Sequence, residues 1–322
     1  MEIGSFIELQ FNEGLEWYKG EVGIARLNTG RSAILHSVKL TGCKAIWIPY
    51  YQCESIRETL LSNNIVVKYY HTDYNWNPTD LRPNDDEAVL FVNYYGIMSH
   101  NRMTMLARMT KHPIIDNCQA FFCKPVKNAL NVYSCRKFIG VPDGAYVVGK
   151  NANNNLNEYP QCYSSDTASF LLLRVEYGCE GKSYETRSIN EARIDHEPVM
   201  KMSKLTRTIL DGTNYGKIRI KRRDNFAYVH EKLKEINQIN PLEYYDEETI
   251  PMVYPLVVED KNCIQRLFKA KHFQGHWWEY ISKEHPSGSF EHWIASNIIP
   301  ITIDQRYGKD EIDYIVSVIK NE

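Results

Sequence analysis

The sequence contains no long hydrophobic run and no excess of one charge. No stretch approaches the roughly 20 apolar residues that a membrane span needs, and the first residues lack the basic and then apolar layout of a signal peptide. Lys and Arg number 38 against 40 Asp and Glu, a formal net charge of −2. Nucleic-acid and anionic-membrane binding both depend on a basic excess. We therefore expect a cytoplasmic protein that binds neither.

Paired ligand motifs are also missing. The eight cysteines are scattered and none forms a C-x-x-C pair, and the histidines show no H-E-x-x-H or comparable spacing. This pattern predicts no metal site. It favours reduced and mostly buried thiols, as in a protein of a reducing compartment.

The composition is typical of a globular protein. Of the 322 residues, 43% are hydrophobic and 24% are charged. Up to about residue 149, short apolar runs alternate with longer segments of helical spacing, which predicts an α/β fold with strands joined by helices on a mainly parallel sheet. The strand candidates are Ala45–Ile48, Ile65–Tyr70, Ala88–Val92, Pro113–Ile115, Val132–Cys135 and Ala145–Val148.

Helices are predicted between and after these strands. Their candidate ranges are Arg31–Leu40, Ser55–Ser62, Arg102–Met109, Thr167–Tyr177, Lys217–Ile236, Asn262–Lys271 and Asp310–Ile319. Two further strands are expected at Met252–Val257 and Ile298–Ile303. We expect a large α/β domain over residues 1–211 and a smaller C-terminal α/β domain over residues 212–322.

A small, turn-prone segment precedes the first helix. Thr29, Gly30, Arg31 and Ser32 place free backbone N–H groups and the positive end of the helix dipole where a phosphate binds well. The alternative is that Thr29 or Ser32 simply caps the helix.

The apolar run Pro113-Ile114-Ile115 ends in Asp116. Ligands bind at the carboxyl ends of strands in open α/β sheets, so Asp116 is placed to face one. A carboxylate there can hold a pyridine nitrogen protonated. The alternative is that Asp116 caps the loop that follows.

A lysine follows a later strand. Lys137 enters a tight turn three residues after Ser134, a place where an amine can project into the crevice. Loss of hydration lowers the pKa of an amine, and a neutral amine forms a Schiff base with an aldehyde. Taken alone, a lysine is more often a solvated surface group.

The chain order of these three features resembles that of fold-type-I pyridoxal phosphate enzymes, and specifically the DegT-type (DegT/DnrJ/StrS) sugar aminotransferases. The matching segments are Thr29-Gly30-Arg31-Ser32-Ala33, Ile48-Pro49-Tyr50-Tyr51-Gln52-Cys53, Ile115-Asp116-Asn117-Cys118-Gln119-Ala120, Tyr133-Ser134-Cys135-Arg136-Lys137 with Pro142-Asp143-Gly144-Ala145, and Ile299-Pro300-Ile301-Thr302-Ile303-Asp304-Gln305-Arg306-Tyr307. The resemblance implies a sheet of about seven strands, flanked by helices.

The resemblance also implies an activity and its residues. The implied activity is transamination of a keto sugar or sugar nucleotide with glutamate as the amino donor. The implied enzyme is a homodimer that makes amino sugars for polysaccharides. Lys137 would carry pyridoxal phosphate as a Schiff base and move a proton, and Asp116 would pair with the ring nitrogen. The other expected cofactor contacts are Gln119 near the ring 3-oxygen, Gly30, Arg31, Ser32 and Ser134 at the phosphate, and Tyr51 and Cys53 beside the ring.

Several positions depart from the family pattern. The gap between Ser134 and Lys137 is shorter than usual, and Cys53 stands where an aromatic residue usually stacks on the cofactor. The family's Gly-x-Asn-Tyr-Arg motif has no clear match, and Met202-Ser203-Lys204-Leu205-Thr206-Arg207 occupies its region. Two alternatives follow. One is another pyridoxal phosphate reaction, such as sugar dehydration, although related dehydratases carry histidine in place of the lysine. The other is a non-catalytic binding or regulatory member.

Overall fold

The computed structural model describes residues 3–273 and 275–321. Its central feature is a sheet of seven strands. They are β1 (Ile24–Leu27), β2 (Ala45–Pro49), β3 (Val66–Tyr70), β4 (Glu87–Val92), β5 (His112–Asp116), β6 (Leu130–Ser134) and β7 (Ala145–Val148), in the order β1-β7-β6-β5-β4-β2-β3. β7 is antiparallel to both of its neighbours, and all other pairings are parallel. The α/β fold and the seven-stranded, mainly parallel sheet are confirmed.

The helices flank this sheet and fill most of the second half of the chain. They are α1 (Gly30–Thr41), α2 (Glu54–Ser62), α3 (His100–Ala107), α4 (Ser169–Tyr177), α5 (Lys182–His196), α6 (Lys204–Asp211), α7 (Tyr215–Leu233), α8 (Cys263–Lys269), α9 (Tyr280–Glu284), α10 (Phe290–Asn297) and α11 (Lys309–Lys320). β8 (Val253–Val257) and β9 (Ile298–Thr302) form a second, antiparallel sheet. None of the described helices is long and apolar enough to cross a membrane.

The six strands predicted for the large sheet are confirmed, each to within two residues at its ends. β1 was not predicted. It has only four residues, and the charged Arg26 interrupts its apolar pattern. The Arg26 guanidinium forms an ion pair with the buried Glu16. The helices α5, α6, α9 and α10 were also not predicted. The 15 residues of α5 are mostly polar and carry no clear apolar stripe.

Both faces of the large sheet are buried. In β4, all six residues are buried, and their side chains alternate between two clusters. Ala88 and Leu90 pack with α1, whereas Val89 and Phe91 join a cluster that also contains β8 and β9 residues. The second sheet therefore packs against the first through a continuous hydrophobic cluster. The division into domains at residue 212 stays a prediction.

α1 shows how local sequence directs the chain to the carboxyl edge of the sheet. Thr29 is the N-cap, and its Oγ1 accepts a hydrogen bond from the Ser32 N–H at 3.1 Å. Gly42 ends the helix with φ 74°, a left-handed conformation that glycine adopts without strain. Between them Ile34, Leu35 and Val38 face the sheet. The helix therefore begins beside the ends of the parallel strands.

Candidate active site at the carboxyl edge of the sheet

Asp116 is the last residue of β5, and only 6% of its surface is exposed. Its Oδ1 accepts a hydrogen bond from the Cys118 N–H at 2.9 Å, so the carboxylate does fasten the turn that follows the strand. No lysine, arginine or histidine in residues 3–273 and 275–321 forms an ion pair with it. Burying a carboxylate without a cationic partner is costly. The site therefore has a place for a cationic ligand.

Cys118 lies at the centre of the candidate site. Burial raises the pKa of its thiol, the nearby Asp116 carboxylate raises it further, and the Lys137 ammonium lowers it. A Cβ added to Gly30 would lie 2.8 Å from the Cys118 Sγ, so the first turn of α1 approaches this thiol closely. The structure thus places Gly30 and Asp116 beside one thiol, and Lys137 near enough to lower its pKa. Sequence reasoning quoted Cys118 only as part of a motif and gave it no role.

Lys137 lies in the turn after β6 and is exposed. It forms no ion pair with any residue that the structure describes. Contacts to Phe138, the residue after Lys137, hold this turn in place. Gln305 Nε2 donates to the Phe138 carbonyl at 2.8 Å, and the Arg222 guanidinium lies 4.5 Å from the centre of its ring. The C-terminal segment around Gln305 therefore positions the turn that carries the lysine.

The start of α1 combines helix capping with free donors. Thr29 Oγ1 donates to Ser32 Oγ at 2.8 Å, so both hydroxyls take part in the cap. The backbone N–H groups of Gly30 and Arg31 donate to no acceptor among the described residues, as is usual in a first helical turn. The Arg31 side chain points elsewhere. It forms an ion pair with Asp195 at 2.8 Å and donates to the carbonyl of Ile194.

Ser134 ends β6 and is buried, and its hydroxyl forms no hydrogen bond with another described residue. This free hydroxyl lies three residues before Lys137. Behind the Lys137 turn, the fully buried Asp143 carboxylate accepts hydrogen bonds from the Ser203 N–H at 2.8 Å, from the Ser203 hydroxyl and from Ser164. Ser203 is also the N-cap of α6. This network joins Asp143, at the end of the turn, to the segment Met202–Arg207. That segment occupies the region of the family's Gly-x-Asn-Tyr-Arg motif, which the chain lacks.

The remaining predicted residues lie in two places. Gln119 is buried, and its Oε1 accepts a hydrogen bond from the Tyr95 N–H at 2.6 Å. Tyr51 has no exposed surface, and its hydroxyl is 2.7 Å from that of Tyr95. Burial raises the pKa of Tyr51, so it stays protonated. Cys53 is the N-cap residue of α2, with its Sγ 3.1 Å from Ser55 Oγ.

Tyr51 therefore belongs to an aromatic cluster rather than to the open part of the site. Its ring packs edge-on against Trp278 at 4.7 Å between centroids. Cys53 is half-buried and near enough to Cys118 to raise the pKa of that thiol slightly. Of the two residues predicted beside the ring, Cys53 is the one that affects the pKa of the Cys118 thiol.

Solved structures give a clear likeness. The chain has a TM-score of 0.64 with the sugar aminotransferase CalS13 from Micromonospora echinospora, at 15% identity over 92% of this chain and 87% of that one. The fold is that of the sugar aminotransferases. NtdA from Bacillus subtilis, solved with its cofactor PMP, gives 0.64 at 13% identity over 94% and 73%. A DegT DnrJ EryC1 StrS aminotransferase from Brucella abortus gives 0.60 at 14% identity over 94% and 87%.

Sequence comparison finds no such likeness. No family model matches the chain, and no curated protein does. At 13–15% identity, the structural likeness shows the sugar aminotransferase fold alone, and the chemistry depends on the residues at the carboxyl edge of the sheet.

Proposed function

We propose that this protein is a pyridoxal-phosphate-dependent aminotransferase that transfers an amino group from glutamate to a keto sugar, free or nucleotide-linked. The buried Asp116 carboxylate, which has no cationic partner among the described residues, carries this proposal. A protonated pyridine nitrogen is the partner that would compensate its charge. The exposed and unpaired Lys137, within electrostatic reach of Cys118, supports it independently.

Three hydrogen-bond donors in the site fit the phosphate group of the cofactor. The Gly30 and Arg31 N–H groups and the Ser134 hydroxyl form the phosphate site, because all three are free to donate. The Arg31 side chain instead holds the end of α5 through Asp195. Gly30 is required where α1 approaches Cys118, since a side chain there would fill the gap.

Pyridoxal phosphate, when bound, supplies an aldehyde that carries the amino group and a ring that stabilises negative charge on the reacting carbon. Asp116 would keep the ring nitrogen protonated and so strengthen this stabilisation. The Lys137 amine would hold the cofactor and would move a proton at the substrate carbon. Gln119 is oriented by the Tyr95 N–H at its Oε1, which leaves its amide nitrogen to donate to the ring oxygen.

The sugar and the donor are the finer part of the proposal. Support for a sugar comes from the solved neighbours, which are described as sugar aminotransferases. Glutamate is implied by the family resemblance. A dehydratase reaction is disfavoured because Lys137 is present where the related dehydratases carry histidine.

We also propose that the active form is a homodimer. α4 has an apolar sequence, SFLLLRVEY, and none of its residues is buried in the single chain. Leu172 and Val175 are 61% and 83% exposed. α4 lies beside the Lys137 turn, because a Cβ added to Gly140 would contact Leu171. A second copy packed on α4 would cover this apolar surface and close the open side of the site.

Absorbance of the full-length protein with pyridoxal phosphate tests the activity. We expect a near-ultraviolet or visible band that borohydride bleaches and that glutamate converts to the amine form. Lys137→Ala should abolish the band while leaving the circular dichroism spectrum unchanged. Lys44→Ala is the matched control, because Lys44 is exposed before β2 at the opposite edge of the sheet.

Asp116→Asn separates cofactor binding from transamination. The amide still accepts the Cys118 N–H bond but cannot compensate a charged ring nitrogen, so the band should form and its conversion by glutamate should slow by about tenfold or more. If the unaltered protein formed no absorbance band at all, it would instead be a non-catalytic binding or regulatory protein. Asp86→Asn, at an exposed position, serves as the control.

A further inference from the structure

Three potential metal ligands meet beside the edge strand β3, outside the candidate active site. They are His71, which directly follows β3, His285, which follows α9, and Glu291 in the first turn of α10. One ligand atom from each lies within 4.8 Å of the others. His71 Nδ1 and Glu291 Oε1 are 3.1 Å apart. β3 is three strands away from β5, which carries Asp116.

Glu291 is the buried member of this cluster. Only 1% of its surface is exposed, and its Oε1 also accepts the Thr72 N–H at 3.1 Å. A carboxylate in such a position needs a cation or strong donors. A metal ion bound beside the carboxylate would supply this cation. The Thr72 hydroxyl next to the cluster is buried and has no hydrogen-bond partner among the described residues.

Both imidazoles are held in place by one aromatic ring. The Tyr50 ring lies 4.5 Å from the His71 ring and 4.7 Å from the His285 ring, centre to centre. Tyr50 is itself stacked on Tyr69 at 4.9 Å. Packing therefore limits the rotation of both histidines, and a ligand set oriented in advance loses less entropy on binding. The side chain of His71 remains 43% exposed, which leaves a path from solvent.

We propose that His71, His285 and Glu291 bind one zinc ion, with water as the fourth ligand. Two imidazole nitrogens and one carboxylate oxygen form a donor set that zinc accepts in tetrahedral geometry. Metal–ligand distances of about 2.1 Å require ligand atoms about 3.4 Å apart. The His71–Glu291 pair, at 3.1 Å, is close to this spacing, and all three ligand atoms lie within 4.8 Å of one another.

The zinc ion would join the loop after β3 to the α9–α10 segment. Tyr280 of α9 already donates to the Gln52 carbonyl at 2.8 Å, so α9 also contacts the loop that follows β2. Zinc would therefore stabilise the packing of the C-terminal segment on this edge of the large sheet. The proposal does not depend on the aminotransferase activity.

Zinc titration of the full-length protein, after chelator treatment and dialysis, tests the site. Calorimetry should show one zinc ion per chain, and zinc should raise the Tm. His71→Ala and His285→Ala should each weaken binding by about tenfold or more and remove most of the rise in Tm. Both histidines are partly exposed, so these variants should fold, which circular dichroism checks.

The matched control is His112→Gln, since His112 lies at the start of β5 and should leave binding unchanged. Cobalt in place of zinc distinguishes the ligands, because thiolate ligation adds a charge-transfer band that nitrogen and oxygen ligands do not. Absence of zinc binding by the unaltered protein would overturn the proposal. Equal binding by the unaltered protein and both histidine variants, or a thiolate band with cobalt, would overturn it as well.

Discussion

Gln305 donates a hydrogen bond to the Phe138 carbonyl at 2.8 Å across 167 residues of chain. Phe138 directly follows Lys137, so the bond fastens the turn that carries the candidate catalytic amine. The same amide accepts a hydrogen bond from Arg222 Nε at 3.1 Å, and Arg222 is 2% exposed. A residue of the last 20 therefore positions a residue of the first half of the chain.

We expect Gln305→Ala to loosen the Lys137 turn. The substitution removes the bond to Phe138 and leaves the buried Arg222 Nε without its acceptor, which should lower the free energy of unfolding by about 1–3 kcal/mol. Urea denaturation measures this loss, and the affinity for pyridoxal phosphate should fall with it. Gln238→Ala, at an exposed position, should change neither quantity. Unchanged cofactor affinity in Gln305→Ala would show that the turn does not need this bond.

A second prediction concerns the contact between α1 and Cys118. Gly30→Ala places a Cβ 2.8 Å from the Cys118 Sγ, so the thiol or the helix must move, at a cost of about 1–3 kcal/mol in stability. Cofactor affinity should also fall because the helix N-terminus shifts. The double variant Gly30→Ala/Cys118→Ala removes the clash and should recover most of both losses. No recovery in the double variant would mean that Gly30 is needed for another reason.

A third prediction tests the proposed dimer. Val175→Glu places a charge on the exposed apolar surface of α4, and burying that charge between two copies would be costly. Light scattering should report a dimer for the unaltered protein and a monomer for this variant at micromolar concentration. The control is Met105→Glu on α3, which is similarly exposed at 68%. If the two variants have the same mass in solution, α4 is not the interface.

A fourth prediction concerns acid stability. Burial alone would raise the pKa of Glu87, but hydrogen bonds from Lys68, from Trp47 Nε1 and from the Asn84 N–H lower it to about 2. Since the folded pKa lies below the usual glutamate value of 4.5, the stabilisation is present above about pH 4.5 and is lost as the pH falls towards about 2.

Glu87→Gln should therefore lower the free energy of unfolding at neutral pH by about 1 kcal/mol, a value reduced for solvent screening around the partly exposed Lys68. The difference between the variant and the unaltered protein should shrink as the pH falls from about 7 to about 3. Urea midpoints across that range measure it. A difference that stays constant with pH would contradict the assigned role of the carboxylate charge.

Much of the fold was predictable because its strands are short apolar runs with both faces buried. Such runs, exemplified by β4, contrast with the mixed helical segments between them. β1 and α5 were missed because neither has a clear apolar pattern, and tertiary contacts such as Arg26 with Glu16 and Arg31 with Asp195 stabilise them instead. The short helices α6, α9 and α10 were not predicted either. A tertiary contact likewise buries Arg222, whose guanidinium lies over the Phe138 ring.

The sequence by itself determined six strands of the large sheet, the helix start at Thr29 and the place of Asp116 at the end of β5, because these depend on local periodicity and capping. Only the tertiary structure decided which side chains meet. Cys118 touches the start of α1, Gln305 holds the Lys137 turn, and His71, His285 and Glu291 converge although 220 residues separate the first from the last. Such contacts depend on how distant segments pack, which no local spacing records.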